Sequence, residues 1–164
     1  MNLIFARVPM LLVALSTAVM LTGGCAPPSS YAKKTKVTIL DNGEPSHITV
    51  QHCLIGFQGS VSGKSIKRSR AEAELLAHQI LEKAQAGEDF YELVKQHTDD
   101  SPPGIYDMAN DGFAGDRGRQ LFARREMVPA FGNTGFPLEV GEYGLAEHHP
   151  TDSPFGWHIV KRVK

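Results

Sequence analysis

Two segments of this sequence alternate apolar and polar residues, and each carries a histidine. The first extends from Ser46 to Phe57 around His52, and the second extends from Phe155 to Val163 around His158. A period of two residues is typical of a β-strand, in which successive side chains point to opposite faces of the sheet. Both histidines are therefore predicted to project from strands of one sheet.

Helical patterns lie between these two strands. Ser69 and Glu72 form a capping box that predicts the start of a helix, and Gly87 predicts its end. The apolar residues between them recur at spacings of three and four: Ala73, Leu76, Ala77, Ile80 and Ala84. A second helix is predicted from Asp89 to His97. Strands at both ends with helices between them indicate an α+β domain, over residues 46–164, built on a mainly antiparallel sheet.

The remaining segments give weaker signals. Lys36 to Leu40 is a possible short strand, and Asp41-Asn42-Gly43 predicts a turn that closes a hairpin with the next strand. Residues 101–120 contain two prolines with repeated Gly and Asp, which predicts a long excursion without regular structure. A short helix is expected around residues 129–133, and another strand near residues 142–147.

The N-terminus differs from the rest of the chain. Residues 1–24 have the features of a secretory signal peptide, with an apolar stretch from Val8 to Leu21 followed by small residues. The run Leu-Thr-Gly-Gly before Cys25 resembles the lipobox of bacterial lipoproteins, in which the cysteine is acylated. We therefore expect lipidation at Cys25, a linker over residues 25–45, and a lipid-anchored protein at the cell envelope. The alternative is a secreted protein cleaved near Gly24.

The overall composition gives no indication of an unusual binding partner. A hydrophobic content of 41% and a formal net charge of −1 are ordinary for a globular protein and give no indication of nucleic-acid binding. The chain has two cysteines. If Cys25 carries lipid, Cys53 has no intramolecular partner, and we expect it to be a buried apolar residue.

Several motifs that suggest ligands fail on spacing. Residues 59–65 look like a phosphate-binding loop but have three residues between the glycines where four are needed. The acidic residues from Asp107 to Asp116 lack the alternation of a calcium loop. His148 and His149 are adjacent, which points them in opposite directions in a strand. No cofactor and no metal are therefore expected. The basic residues from Lys64 to Arg70 are either a solvated charge run or a site that attracts an acidic group.

Eight separated signals occur in the order and spacing of the parvulins, a family of peptidyl-prolyl cis-trans isomerases. They are Gln51-His52-Cys53-Leu54-Ile55, Asp89-Phe90, Thr98-Asp99-Asp100, Phe122, Met127-Val128-Pro129-Ala130-Phe131, Phe136-Pro137-Leu138, Gly141-Glu142 and Phe155-Gly156-Trp157-His158-Ile159-Val160. The resemblance extends from Ile48 to Lys164. It is specific because the separated signals agree in both order and spacing.

The resemblance implies a parvulin-like, FKBP-like fold, in which helices flank a four-stranded, mainly antiparallel sheet. It implies that His52, Asp100 and His158 are the catalytic residues on the floor of the site. It also implies a proline pocket formed by substrate-binding residues, namely Met127, Phe131, Phe155, Phe122 and Leu121.

One stretch departs from the family pattern. Parvulins commonly have Gly-Asp-Leu-Gly shortly before the pocket methionine, whereas this chain has Gly115-Asp116-Arg117-Gly118. Depending on the direction of counting, either Arg117 or Arg119 stands where an apolar wall residue is expected. One wall of the pocket is therefore predicted to be weakened.

The expected function is non-covalent isomerisation of X-Pro bonds in exported proteins, which assists folding at the cell envelope. The expected partners are proline-containing polypeptides and a membrane, with the chain acting as a monomer. The first alternative is a non-catalytic peptide-binding or chaperone lipoprotein that keeps the fold, which the wall arginine and residues 101–120 favour. A metal-binding lipoprotein using His148 and His149 is a further alternative.

Overall fold

The computed structural model describes residues 36–164. The predicted signal peptide and the predicted lipid on Cys25 lie outside these residues. The strands are β1 His47–Ile55, β2 Ile105–Ala109, β3 Leu121–Ala123, β4 Tyr143–Ala146 and β5 Trp157–Arg162. The helices are α1 Arg70–Gln85, α2 Phe90–His97 and α3 Pro129–Gly135, and 3-10 turns occupy Arg117–Arg119 and Arg124–Glu126.

The five strands form one sheet in the order β3-β2-β1-β5-β4. All neighbouring strands are antiparallel except β2 and β3, which are parallel. The prediction of a mainly antiparallel sheet is confirmed, but the prediction of four strands is wrong. The two strands with the predicted histidines, β1 and β5, are neighbours near the middle of the sheet, where Leu54 lies opposite His158 and His52 opposite Val160.

The prediction of an irregular excursion over residues 101–120 is wrong, because β2 lies within it. This strand has five residues and lies between Gly104 and Gly112. The two glycines are turn signals, and they led to the prediction of an irregular segment. The possible strand at residues 36–40 does not join the sheet, and forms only an isolated bridge between Ile39 and Pro45.

The capping box predicted for α1 is present. The Ser69 hydroxyl accepts a hydrogen bond from the Glu72 backbone N–H at 3.3 Å, and the Glu72 carboxylate accepts one from the Ser69 N–H at 2.7 Å. Asp89 caps α2 without a capping box, since its carboxylate accepts a hydrogen bond from the N–H of Tyr91 at 2.9 Å. Both helices therefore begin where the sequence predicts.

The central sheet separates two hydrophobic clusters. On one face, α1 and α2 cover Cys53, Ile55, Trp157 and Ile159. Burial raises the pKa of the Cys53 thiol to about 12, so it stays protonated and unreactive. The other cluster is formed by Ile48, Val50, Met108, Phe131, Phe136 and Val160. Because His52 and His158 alternate with the residues under α1 and α2, both project on the side of this second cluster.

Within residues 36–164, none of the helices has the length and apolar character needed to cross a membrane.

Candidate active site

The two histidines predicted to share a sheet face are in contact. Their Nδ1 atoms are 3.3 Å apart, and their rings stack at a centroid distance of 5.4 Å with 16° between the planes. His52 is 4% exposed and His158 is 5% exposed. The register of β1 and β5 brings them together, since His158 lies opposite Leu54, two positions from His52 on the same face.

Asp100 lies in the turn after α2. Hydrogen bonds attach this turn to the end of β1. Thr98 closes the helix, and its hydroxyl accepts hydrogen bonds from the N–H groups of Leu54 and Asp100, at 3.1 and 3.2 Å. The N–H of Asp99 donates to the Leu54 carbonyl at 2.8 Å. These bonds fix the turn so that the Asp100 carboxylate accepts from Nε2 of His52 at 3.0 Å.

A fourth polar side chain completes the network. The hydroxyl of Tyr106 donates to the same Asp100 oxygen at 2.8 Å, and its ring lies edge-on to His52 at 5.1 Å. Tyr106 is not among the predicted site residues, because it lies in the segment predicted to be irregular. The strand that carries Tyr106 has five residues and no clear alternation of apolar and polar side chains, so its sequence gives no signal for this residue.

Three groups of this network have shifted pKa values. Hydrogen bonds from His52 and Tyr106 outweigh the effect of burial and hold the pKa of Asp100 well below its usual range. Burial, followed by the hydrogen bond to Asp100, raises the pKa of Tyr106. Burial also lowers the pKa of His158 to about 3, so this imidazole is neutral at neutral pH.

The ionised carboxylate also sets the proton positions. Since Asp100 is an acceptor, Nε2 of His52 carries a proton. In the neutral His52 tautomer with that proton, Nδ1 accepts from Nδ1–H of His158. Nε2 of His158 is then an unprotonated acceptor, and it is buried without a hydrogen-bond partner among residues 36–164.

Aromatic side chains stand around this polar floor. Phe131, from α3, lies edge-on to His52 at 5.1 Å and tilted against His158 at 5.5 Å. Phe122, from β3, lies 5.7 Å from the ring of Tyr106. Met127, between β3 and α3, packs against the hydrophobic cluster that contains Phe131. Of the five predicted pocket residues, Phe131 thus contacts both histidines. Phe122 lies against Tyr106, and Met127 lies against the cluster of Phe131.

The other two predicted pocket residues are placed differently. Leu121 is half-buried, but it precedes Phe122 in β3 and so points to the opposite face of that strand. Phe155 is 43% exposed, and its carbonyl accepts a hydrogen bond from the Ser60 hydroxyl at 2.8 Å.

The two arginines at the departure from the family pattern point into solvent. The side chain of Arg117 is 73% exposed and lies 3.6 Å from the Glu126 carboxylate, while that of Arg119 is 72% exposed and lies 3.3 Å from Asp116. Neither packs into the aromatic cluster, where Phe122 provides the apolar surface.

Two other sequence features lie outside the network. Arg68, in the basic loop, donates to the Asp99 carboxylate and to the Gly56 carbonyl. It is therefore a structural residue that attaches this loop to the turn holding Asp100. His148 packs against Trp157 at 5.4 Å, and His149 pairs with Asp152 at 3.5 Å.

A close backbone approach places β2 beside His52. The N–H of His52 donates to the Gly104 carbonyl at 2.8 Å. Gly104 has a φ of +67°, and a Cβ atom there would lie 2.3 Å from the His52 carbonyl oxygen. Only glycine allows this contact, which begins the strand that carries Tyr106.

The paired histidines and the aromatic side chains beside them agree with the parvulin class that the sequence motifs indicate. Residues 52–164 match the family model described as Rotamase, PPIC-type PPIase domain. The chain therefore belongs to this family of peptidyl-prolyl isomerase domains, as the resemblance of its motifs implies.

Individual relatives agree with this assignment. The chain is 32% identical over 89 residues to a foldase protein PrsA of Halalkalibacterium halodurans, covering 54% of this chain and 23% of that protein. It is 33% identical over 113 residues to a chaperone SurA of Chromohalobacter salexigens, covering 68% of this chain and 21% of that protein. The chain thus spans less than a quarter of the length of these relatives.

Solved structures share the fold. The peptidyl-prolyl isomerase ESS1 from Candida albicans matches with a TM-score of 0.52 and 23% identity, covering 77% of this chain and 66% of that one. The solution structure of TbPIN1 matches with a TM-score of 0.52 and 17% identity, covering 73% and 98% of the two chains.

Proposed function

We propose that this protein catalyses cis-trans isomerisation of X-Pro bonds without a covalent step. The observation that carries the proposal is the packing of the Phe131 ring against the buried, hydrogen-bonded pair of His52 and His158. In this proposal Met127, Phe131 and Phe122 form an apolar cup, and a pyrrolidine ring is the substrate group that suits its apolar surface.

The chemistry of the reaction requires little more than such a cup. Rotation about a peptide bond faces a barrier of about 18–20 kcal/mol, because the nitrogen lone pair conjugates with the carbonyl. The twisted transition state has lost this conjugation and is less polar than either planar form. A site that binds the twisted form more tightly lowers the barrier, and exclusion of water from the amide acts in the same direction.

The polar network holds the shape of the pocket floor. His158 is buried and neutral, and Asp100 is ionised with two hydrogen-bond donors in place. We propose that His52, His158 and Asp100 fix the position and polarity of the floor and do not exchange protons with the substrate. Tyr106 joins them by orienting Asp100.

The test compares two apolar truncations. Met127 and Leu138 are both partly buried and pack against the same hydrophobic cluster, but only Met127 is assigned to the pocket. We expect Met127→Ala to lower kcat/KM for an X-Pro peptide about tenfold, which corresponds to about 1.4 kcal/mol of transition-state binding. We expect Leu138→Ala to remain within about twofold of the wild type.

The measurement is line-shape or exchange NMR of a proline peptide, which needs no coupling protease. Equal losses in the two variants would refute the pocket assignment. Peptide binding by the wild type without any acceleration of exchange would support the non-catalytic chaperone, which the relative named chaperone SurA makes the second candidate.

We further propose that the protein acts as a monomer on exported proteins at the cell envelope, attached to a membrane through lipid on Cys25. The lipobox-like run before this cysteine supports the anchor. The names of the relatives, foldase and chaperone, support unfolded polypeptides as substrates.

A further inference from the structure

We propose that Glu44, which precedes the segment matched by the family model, positions the proline pocket by holding Arg124. This inference rests on the proposed isomerase function, since the pocket is the site that Glu44 would support. Hydrogen bonds join four polar side chains into one cluster, namely Glu44, Asn110, Arg124 and Asn133.

Glu44 is the acceptor at the centre of this cluster. One carboxylate oxygen, Oε2, accepts hydrogen bonds from Arg124 Nη1 at 2.7 Å, from Asn110 Nδ2 at 3.0 Å and from Asn42 Nδ2 at 3.1 Å. Burial disfavours the charge, but the hydrogen bonds from Asn110 and Arg124 outweigh it, and the pKa of Glu44 is lowered. The carboxylate is therefore ionised wherever the domain is folded near neutral pH.

The Glu44 segment is also tied to the sheet through its backbone. Asn110, directly after β2, is 2% exposed, and its side chain donates to the Pro45 carbonyl at 3.0 Å. Its N–H donates to the Ser46 carbonyl at 2.8 Å. These bonds hold Glu44 against the end of the strand that carries Tyr106.

Arg124 transmits this position to α3. Its guanidinium also donates to Asn110 Oδ1 at 2.9 Å and to Asn133 Oδ1 at 2.8 Å, and it lies 4.8 Å over the ring of Phe136. A Cβ atom on Gly132 would lie 2.9 Å from Arg124 Cγ, so the helix backbone approaches the arginine closely. Arg124 therefore contacts three residues in or directly after α3, the helix that carries Phe131.

The same arginine begins the turn that ends at the pocket. The N–H of Met127 donates to the Arg124 carbonyl at 3.1 Å. The side chains of Arg124 and Glu44 are 17% and 16% exposed, so a change in one leaves the other short of partners in a place with little water. The remaining carboxylate near Arg124, that of Asp111, is 4.0 Å away and 73% exposed.

The experiment uses the full chain with Glu44→Gln and Arg124→Lys. Both substitutions keep side-chain size, but the first removes the charge and the second removes the planar fork that reaches three acceptors. Their matched controls are Glu92→Gln, in an exposed pair with Lys95, and Arg125→Lys, on the exposed neighbouring position.

Two readouts separate positioning from stability. We expect both test variants to raise KM for an X-Pro peptide about threefold or more while kcat changes less, since the pocket wall shifts and the polar floor does not. We also expect the 13C-methyl NMR signal of Met127 to move in both. The controls should leave KM and the signal unchanged. Leu81→Ala, in the cluster on the opposite sheet face, should lower Tm without raising KM.

Lower Tm in Glu44→Gln and Arg124→Lys with wild-type KM and an unmoved Met127 signal would overturn the proposal. If the wild type proves to have no turnover, the proposed function fails. The Met127 signal then still decides whether Glu44 positions the pocket.

Discussion

At the scale of single residues, the polar floor depends on one carboxylate. Asp100 accepts from both His52 and Tyr106 through the same oxygen. This shared acceptor orients the imidazole and fixes the tautomer of His52, which in turn sets the hydrogen bond to His158. A change at the far end of this chain of bonds therefore reaches the pocket.

Tyr106→Phe tests that chain of bonds. The substitution removes one hydrogen-bond donor to an ionised carboxylate and keeps the ring. We expect the free energy of unfolding to fall by about 1 kcal/mol. The loss is no larger because Asp100 is partly exposed and water replaces some of the lost hydrogen bond. We expect kcat/KM to fall as well. Urea unfolding and the exchange assay measure these effects, with Tyr91→Phe on α2 as the control. A Tyr106→Phe protein with full activity would remove Tyr106 from the site.

The buried histidine predicts a pH dependence of stability. Because the pKa of His158 is about 3 in the folded protein and 6.5 ordinarily, the unfolded chain binds this proton first as the pH falls. The stability that comes from neutral His158 is therefore complete above pH 6.5 and is lost as the pH falls from there toward 3.

His158→Gln removes this titration. We expect its free energy of unfolding to fall less steeply than that of the wild type between about pH 6.5 and 5, where the difference in slope is at most about 1.4 kcal/mol per pH unit. Urea unfolding at several pH values measures the slopes. His78→Gln, on the exposed side of α1, serves as the control. Parallel curves for wild type and His158→Gln would contradict the assignment.

At the scale of elements, β2 depends on a single glycine. Gly104 precedes β2, has a positive φ and lies against the backbone of His52. Gly112 lies beyond the other end of the strand, with a φ of +86° and open space around it. The two glycines share the backbone requirement and differ in the space available for a side chain.

This difference gives a matched pair of variants. Gly112→Ala should cost about 1 kcal/mol of stability, from backbone strain alone. Gly104→Ala should cost at least about 2 kcal/mol more, since its Cβ collides with a backbone oxygen that cannot move without shifting β1. Urea unfolding compares them. Equal losses would show that the collision at Gly104 is relieved elsewhere.

At the scale of the whole molecule, the two faces of the sheet differ in composition: one is apolar, and the other includes buried polar side chains. The face under α1 and α2 is an apolar core with a buried thiol, whereas the face under α3 carries the histidines and the proposed pocket. This separation allows the pocket to contain buried polar groups while most apolar burial lies elsewhere.

The proposed anchor gives a prediction at this scale. In bacterial cells, Cys25→Ser should move the protein from the membrane fraction to the soluble fraction, because the acylated side chain is lost. Isomerase activity of the released protein should equal that of the wild type. Cys53→Ser, which changes the buried thiol, is the control and should stay with the membrane. Membrane retention of Cys25→Ser would refute the lipid anchor.

Local sequence patterns were sufficient to predict two strands and two helix starts of this domain. The period of two around His52 and His158 predicted two strands with histidines on one face, and the residues around Ser69 and Asp89 predicted both helix starts. The order of the parvulin motifs predicted the family, which the match of residues 52–164 confirms. The strand and helix signals each lie within a few residues of chain, where hydrogen bonds and burial repeat with a fixed period.

Only the tertiary structure decided the rest. Strands β2 and β3 are five and three residues long, too short for a period to stand out, and they are fixed by pairing with distant segments. Tyr106 meets Asp100, and Glu44 meets Arg124, across hydrogen bonds that leave no local trace in the sequence. The two histidines were visible as residues of a sheet, but their contact depends on the register of β1 against β5, which is set by the packing of the whole domain.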